Sequence, residues 1–447
     1  MRLWDSQSTS LDEAVLAFTV GDDPILDREL LPYDCLASAA HAEMLAHIGI
    51  LSADEFASLE KALGAAFRLA TTGQFEIFPE QEDGHTALEA FLTRETGEAG
   101  EKIHTGRSRN DQVIAALRLL VRDRLLRLLD AAEPLFRTLV RRQSEHCQTL
   151  MPGYTHTRQA MPSTAGQLFG SLAEGMVADL EQWLGPLAIA NRSALGSASG
   201  YGVPLPLDRL RVAASLGLDG VEVNTIQVQN SRGKLEATVL FGLHQFTISC
   251  ARFATDVITL SAEAGLFSLP LELTTGSSIM PQKRNPDLLE LVRAVPAAML
   301  GRYVQASTTL GGLTSGYHRD LQRTKSPLLA GLAEAGHVIT IMERAADGVD
   351  VDAEACLRAL ETSIFATDQT YKKVRDGDSF RSAYRAVKET GSAPMDTDEV
   401  LGSRTHLGAP GTDQSEHLSQ LWDGLQSRFQ TFRDGNDTAK GLLSEEA

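Results

Sequence analysis

The stretch 276–287, GSSIMPQKRNPD, crowds a flexible glycine, two hydroxyls, two cations and a helix start into twelve residues. Gly276 frees the backbone, Ser277 and Ser278 supply hydroxyls, and Lys283 and Arg284 supply positive charge. Pro286 suits the first position of a new helix, and Asp287 suits its N-terminal dipole. The stretch reads as a mobile catalytic loop. Its chemistry would be removal of a proton next to a carboxylate, with the resulting dianion held by nearby donors and cations. A serine hydroxyl is a poor base and becomes one only where backbone N–H groups and Lys283 lower its pKa. A polar turn that merely caps a helix has the same composition, and composition alone leaves the two readings even.

Other polar constellations are separated widely along the chain. HTGRSRNDQ, 104–112, sets two guanidiniums, hydroxyls and an amide before a long helix, a suitable grip for carboxylates and a better account than a merely solvated cap. GYTHTRQAMP, 153–162, places His156 between two threonines in a loop ahead of a helix, where it would serve as a general acid or base. A lone loop histidine is more often simply solvated, and the same holds for His85 in EDGHTALE. Glu290, four residues after Pro286, would orient a distant histidine, although exposed glutamates are common. SGYHRDLQ, 315–322, gathers phenol, imidazole, guanidinium and amide into what reads as a second substrate wall. No His and carboxylate pair has metal-ligand spacing, and no glycine-rich phosphate loop precedes a helix. Neither a metal nor a nucleotide cofactor is expected.

Long helices must position these motifs. Apolar spacing predicts helices over 34–48 and 52–70, the second opened by a Ser52/Glu55 capping box. A Gly- and Glu-rich patch, TGEAGEK, marks a boundary before helices over 111–150, 164–187 and 286 to beyond 304, with Pro134 and Pro296 as kink points. Between 234 and 267, Val239, Leu243, Phe246, Cys250, Phe253, Val257, Leu260, Ala264 and Phe267 form a heptad seam. A helix of that length would run ~50 Å and belongs in a bundle, one that subunits can share. Strand signals are sparse, with a short hairpin expected within 196–208. Beyond Asp350 the helices are expected to shorten, with a frayed acidic tail from Asn436. The class is all-α, divided as 1–106, 107–355 and 356–447.

Composition narrows the partners. The chain has 447 residues, 6% aromatic and 22% charged, which suits a globular protein of two or three units. A formal net charge of -18 disfavours nucleic acid and anionic membrane, so an anionic substrate would need locally concentrated cations. Cys35, Cys147, Cys250 and Cys356 make no CxxC pattern, which points to a reducing cytosol. Residues 1–14 lack a signal-peptide pattern, and no apolar run approaches a membrane span. A soluble cytoplasmic protein is expected.

Together, GSSxMPxKxNP, HTGRSRNDQ and the 315–322 loop resemble the fumarase and aspartase superfamily of elimination enzymes, and within it the argininosuccinate lyase branch, to which Gln282 points. The likeness runs from FTVGDDPILDREL to ATDQTYKKVRDG. It implies a three-domain, almost all-helical fold whose tetramer forms a twenty-helix core, with each active site drawn from three subunits. It implies reversible elimination of argininosuccinate to arginine and fumarate. By the same resemblance Ser277 is the base on a closing loop, His156 assists proton transfer with Glu290 orienting it, and Lys283 and Asn285 stabilise the developing charge. Ser108, Arg109, Asn110 and Thr155 would hold substrate carboxylates; Tyr317, Arg319 and Gln322 match further substrate-wall positions, and His85 matches an active-site position. The sequence departs from the family where Arg319 replaces a common Lys, RTKS replaces EDKE, Arg232-Gly233-Lys234 replaces Ser-Arg-Asp, and Asp23 replaces a substrate-contacting Ser; the usual GRF stretch is missing. Those departures fall on substrate contacts rather than on the elimination chemistry. A related elimination on another succinyl substrate, a non-catalytic protein on the same scaffold and a coiled-coil oligomerisation scaffold are the rival readings.

Overall fold

A computed structural model describes residues 12–262 and 265–444. Most of 1–14, and Ala264 of the expected seam, lie outside the described residues. The N-terminal part folds as α1 (Glu13–Val20), α2 (Asp23–His47), α3 (Ala53–Thr71), α4 (Gly84–Thr96) and α5 (Glu98–Lys102). α2 begins at Asp23 rather than Asp34 and runs through Pro32. Its first turns hid from the apolar pattern because Asp23 and Asp27, both charged, face inward. The α3 capping box forms as expected: Ser52 N donates to Glu55 Oε2 at 2.8 Å and Glu55 N to Ser52 Oγ at 3.3 Å.

α6 (Arg109–Glu145) stops before Leu150, because Leu150 opens a strand. β1 (Leu150–Thr155) pairs antiparallel with β2 (Arg158–Thr164), so 153–162 is a hairpin rather than a plain loop. Its two-residue tip is His156 and Thr157, with φ of 52° and 60°. α7 (Ala165–Glu181) and α8 (Leu184–Ala190) replace the single helix expected over 164–187; Trp183, fully buried, sits at the break. Residues 196–208 make turns and no hairpin. The buried Asp111 carboxylate organises them by accepting from Gly196 N at 3.0 Å and Ala198 N at 2.8 Å. Those accepted bonds replace a strand ladder as the backbone's partners.

After α9 (Arg209–Ser215) and α10 (Thr225–Ser231) comes α11 (Lys234–Ala262), in which every seam residue from Val239 to Leu260 is buried. The seam's last member, Phe267, has left the helix for β3 (Phe267–Ser268). β4 (Thr275–Gly276) and β5 (Arg284–Asn285) pair to close the Ser277 loop, and α12 (Asp287–Thr309) follows. Pro286 is the residue that caps α12 rather than its first turn. α13 (Lys325–Gly348) completes the bundle with α6, α7, α11 and α12. β6 (Asp350–Val351) pairs with β3.

The helices then shorten through α14 (Ala353–Arg358), α15 (Ala366–Arg375), α16 (Phe380–Thr390) and α17 (Thr397–Gly402), but α18 (Ser415–Gly441) is long. Leu150, Ile364, Phe365, Val400 and Leu401 form a small separate core, whereas Leu418, Trp422, Leu425 and Phe429 of α18 join the main one. The tail is not frayed from Asn436. Asn436 Nδ2 donates to the buried Asp123 Oδ1 at 3.0 Å, and Lys440 Nζ lies 2.6 Å from that oxygen. The class is all-α. Among the described residues no helix is long and apolar enough to cross a membrane.

Candidate functional site

The first turns of α2, α4 and α6 converge with the 317–325 segment on one cleft of about 170 Å³, which His85, Arg109, Asn110, Tyr317, Arg319 and Gln322 line. The sequence-predicted residues that meet there are those the chain presents just inside a helix start or on the short turn before α13. Ser108 stands beside them as the cap of α6: its Oγ accepts from Asn110 N at 3.3 Å and its N donates to Asp111 Oδ1 at 2.9 Å. Of the two guanidiniums in HTGRSRNDQ, only Arg109 faces the cleft. Arg107 is buried and donates to Ser38 Oγ at 2.8 Å.

Asp27 and Asp83 help complete the cleft and were missed by sequence reasoning; Asp23, Arg232 and Lys325, the last within RTKS, had registered only in departures. Their partners lie far away in sequence, which is why no local spacing betrays them. Lys325 Nζ lies 2.8 Å from Asp23 Oδ1 and also bonds Asp27 Oδ1. Asp27 Oδ2 accepts from Gly84 N at 3.0 Å, fastening α2 to α4. Burial pushes the Lys325 pKa down, but Asp27 and Asp23 outweigh it and the net shift is upward. Arg109 pairs with Asp83 at 3.0 Å and Glu82 at 3.4 Å. The Arg232 guanidinium lies over the Tyr317 ring, 5.7 Å from its centre.

His85 Nδ1 lies 2.7 Å from Asp34 Oδ2, both groups buried. Burial alone would depress the imidazole pKa, yet Asp34, with Asp83 and Asp27 behind it, raises it overall. His85 Nε2 is buried with no hydrogen-bond partner among the described residues. When protonated, His85 keeps its Nε2–H for an anionic ligand.

The remaining predicted residues lie elsewhere. Ser277 Oγ accepts from Met280 N at 3.2 Å and Ile279 N at 3.4 Å. Two backbone donors aimed at one hydroxyl oxygen favour its anionic form, the condition a serine base requires. Asn285 Nδ2 donates to Thr275 Oγ1 at 3.5 Å, and Thr275 Oγ1 in turn bonds Asp287. Lys283 and Glu290 are exposed, as are Thr155 and His156 at the hairpin tip.

Helix lengths separate the two groups. α12 has 23 residues, about 35 Å at roughly 1.5 Å per residue, with the Ser277 loop before its start and Tyr317 beyond its end. α6 has 37 residues, about 55 Å, with Arg109 at its start and the His156 hairpin past its end. One chain therefore does not bring Ser277 or His156 to its own cleft.

The fold is a helical bundle with a donor-lined serine loop ahead of α12 and an ion-paired cleft at the first turns of α2, α4 and α6, and it is similar throughout to known lyases. The lyase family model matches residues 8–301. A crystal structure of an EDDS lyase with formate superposes with a TM-score of 0.74 at 25% identity, covering 97% of this chain and 94% of that one. A class II fumarase from Schistosoma mansoni shares the fold, with a TM-score of 0.69 at 16% identity over 93% of this chain and 95% of that one. The argininosuccinate lyase of Thermotoga neapolitana is 42% identical over 87% of this chain and 98% of that protein. That of Sorangium cellulosum is 40% identical over 95% of this chain and 99% of that protein. The chain belongs to the argininosuccinate lyase family.

Proposed function

We propose that the protein catalyses the reversible elimination of argininosuccinate to L-arginine and fumarate, a cytoplasmic step of arginine biosynthesis, as a homotetramer. Ser277 Oγ takes the proton from the succinyl carbon next to a carboxylate. Lys283 and Asn285 hold that carboxylate as negative charge builds on it. The carbon–nitrogen bond then breaks, leaving fumarate, and the departing guanidino nitrogen receives a proton with His156 assisting and Glu290 of another chain orienting the imidazole. His85, Ser108, Arg109, Asn110 and Thr155 bind the carboxylates, and Tyr317, Arg319 and Gln322 hold the arginine portion.

The observation that carries this reading is the pair of backbone N–H groups donating to Ser277 Oγ in a chain of this family. Sharing of sites between chains is supported by the opposite placement of loop and cleft. It is supported too by α12, a central helix that leaves Leu291, Leu300 and Val304 exposed, and by the exposed Phe241 of α11 beside it. On this reading unit 1–106 supplies one wall of the cleft, 107–355 its other wall and the shared bundle, and 356–447 a C-terminal unit whose last long helix packs on the main core.

The test is incubation of the purified protein with argininosuccinate, following fumarate absorbance and arginine release. Equal amounts of both products are expected. No product from an assembled tetramer overturns the substrate and directs attention to other N-substituted succinates, since the EDDS lyase fold is also a match.

A further inference from the structure

The hairpin that carries His156 is anchored in two places of different kind. At its foot, Leu150 of β1 joins Ile364, Phe365, Val400 and Leu401 in the small C-terminal core. Further along, the pairing of β1 with β2 slips between Gly153 and Tyr154. Gly153 stands opposite Met161 and Tyr154 opposite Gln159, so Ala160 is an extra residue in β2. A bulge of this kind bends the strand and re-aims whatever lies beyond it. Beyond it come the facing pairs Tyr154 with Gln159 and Thr155 with Arg158, and then the exposed His156–Thr157 tip. A two-stranded ribbon so short does not hold its own direction.

Gln159, half-buried, supplies the second anchor. Its Nε2 donates to Ala359 O at 2.7 Å and its Oε1 accepts from Glu361 N at 3.1 Å. These are the backbone groups on either side of Leu360, which packs against the small core at the joint between α14 and the short turn Thr362–Phe365. The two bonds fix which way the amide faces, because a carbonyl needs its NH₂ and an N–H needs its oxygen. Attachment at two points leaves the side chain little freedom to swing, so the far half of the hairpin takes its direction from the C-terminal unit. Resting on the role proposed for His156, we propose that Gln159 is a positioning residue: by clasping the 359–361 backbone it sets where the imidazole projects towards the cleft of another chain. Gln159 itself meets neither substrate nor the reacting atoms. A displacement of about 1 Å at a reacting group costs up to ~10²-fold in rate, so loss of the clasp is felt in turnover rather than in affinity.

The test is steady-state cleavage of argininosuccinate by the assembled protein carrying Gln159→Ala, His156→Ala or both. His156→Ala should lower kcat by ~10²-fold. Gln159→Ala should lower kcat by ~10-fold with KM held. The double variant should be no slower than His156→Ala, because a residue that acts through the imidazole has nothing to position once the imidazole is gone. Gln159→Met, which keeps the length of the side chain but neither bond, should match Gln159→Ala and takes its place should that variant fail to fold. Gln148→Ala removes a different tie to the C-terminal unit, from Gln148 Nε2 to Gly411 O just past the end of α6, and should leave kcat unchanged. An undiminished kcat in the folded Gln159 variant overturns the inference, as does a loss confined to KM, an equal loss in Gln148→Ala, or a double variant slower than His156→Ala. Normal turnover in His156→Ala would instead overturn the role proposed for that residue, and this inference with it.

Discussion

At the cleft end, His85, Asp34, Asp27 and Lys325 are buried and every charge among them already faces a partner within one chain. At the loop end, Ser278, Lys283, Glu290 and His156 are exposed, and the Ser277 loop is closed by the short β4 and β5 pairing and a few bonds of its own. On the proposed function, recognition is preorganised before substrate arrives, whereas the groups proposed for the chemistry await surfaces of other chains. Preorganised ion pairs fix orientation cheaply at the moment of binding, and an open loop lets substrate enter before water is excluded.

The contrast is broken most severely at the loop end. Ser277→Ala should lower turnover by ~10²–10⁴-fold with the tetramer intact, read by fumarate release and light scattering. Near-normal rates would remove Ser277 from its role. Mixing that variant with Arg109→Ala, each inactive alone, should restore activity after subunit exchange, because the two defects then fall at different sites. Failure of exchanged mixtures to recover would mean that one chain supplies both ends.

The cleft end should show itself in stability. Asp34→Asn strands a buried imidazole and should cost about 3 kcal/mol in urea unfolding. His85 has a folded pKa above its unfolded value of about 6.5, so the stability it contributes is fully present below that value. That contribution is lost as pH rises through the higher folded pKa. The melting temperature should therefore decline as pH rises above about 6.5 and through the higher folded pKa, and the His85 share of that slope should vanish in Asp34→Asn. The smallest effect is expected for Ser108→Ala, which removes the α6 cap at a cost of about 1 kcal/mol. A loss confined to substrate affinity would show that the Ser108 hydroxyl serves ligand rather than helix.

Sequence reading served these two ends unequally. The Ser277 loop, the Ser108 turn and the 315–322 turn were legible because each packs its chemistry into a short contiguous run. The α11 seam was legible because its burial is periodic. The charge-paired floor was not, since Lys325 meets Asp27 across most of the chain and Asp34 meets His85 across two helices. The hairpin was hidden for a local reason: its tip is His-Thr, where a tight turn ordinarily announces itself with Asn-Gly. The tail misled because Asn436 and Lys440 look solvated until Asp123 is placed beneath them.

That hairpin tip has a further consequence. His156 and the β-branched Thr157 both hold left-handed backbone angles that such side chains disfavour, at roughly 1–3 kcal/mol each. Replacing the pair with Asn-Gly would give a more robust turn and, on the role proposed for His156, a slower enzyme. If His156 has the role proposed for it, selection for thermal resilience and selection for turnover pull this dipeptide in opposite directions, and a lineage that relaxed the second would be expected to drift toward the sturdier tip.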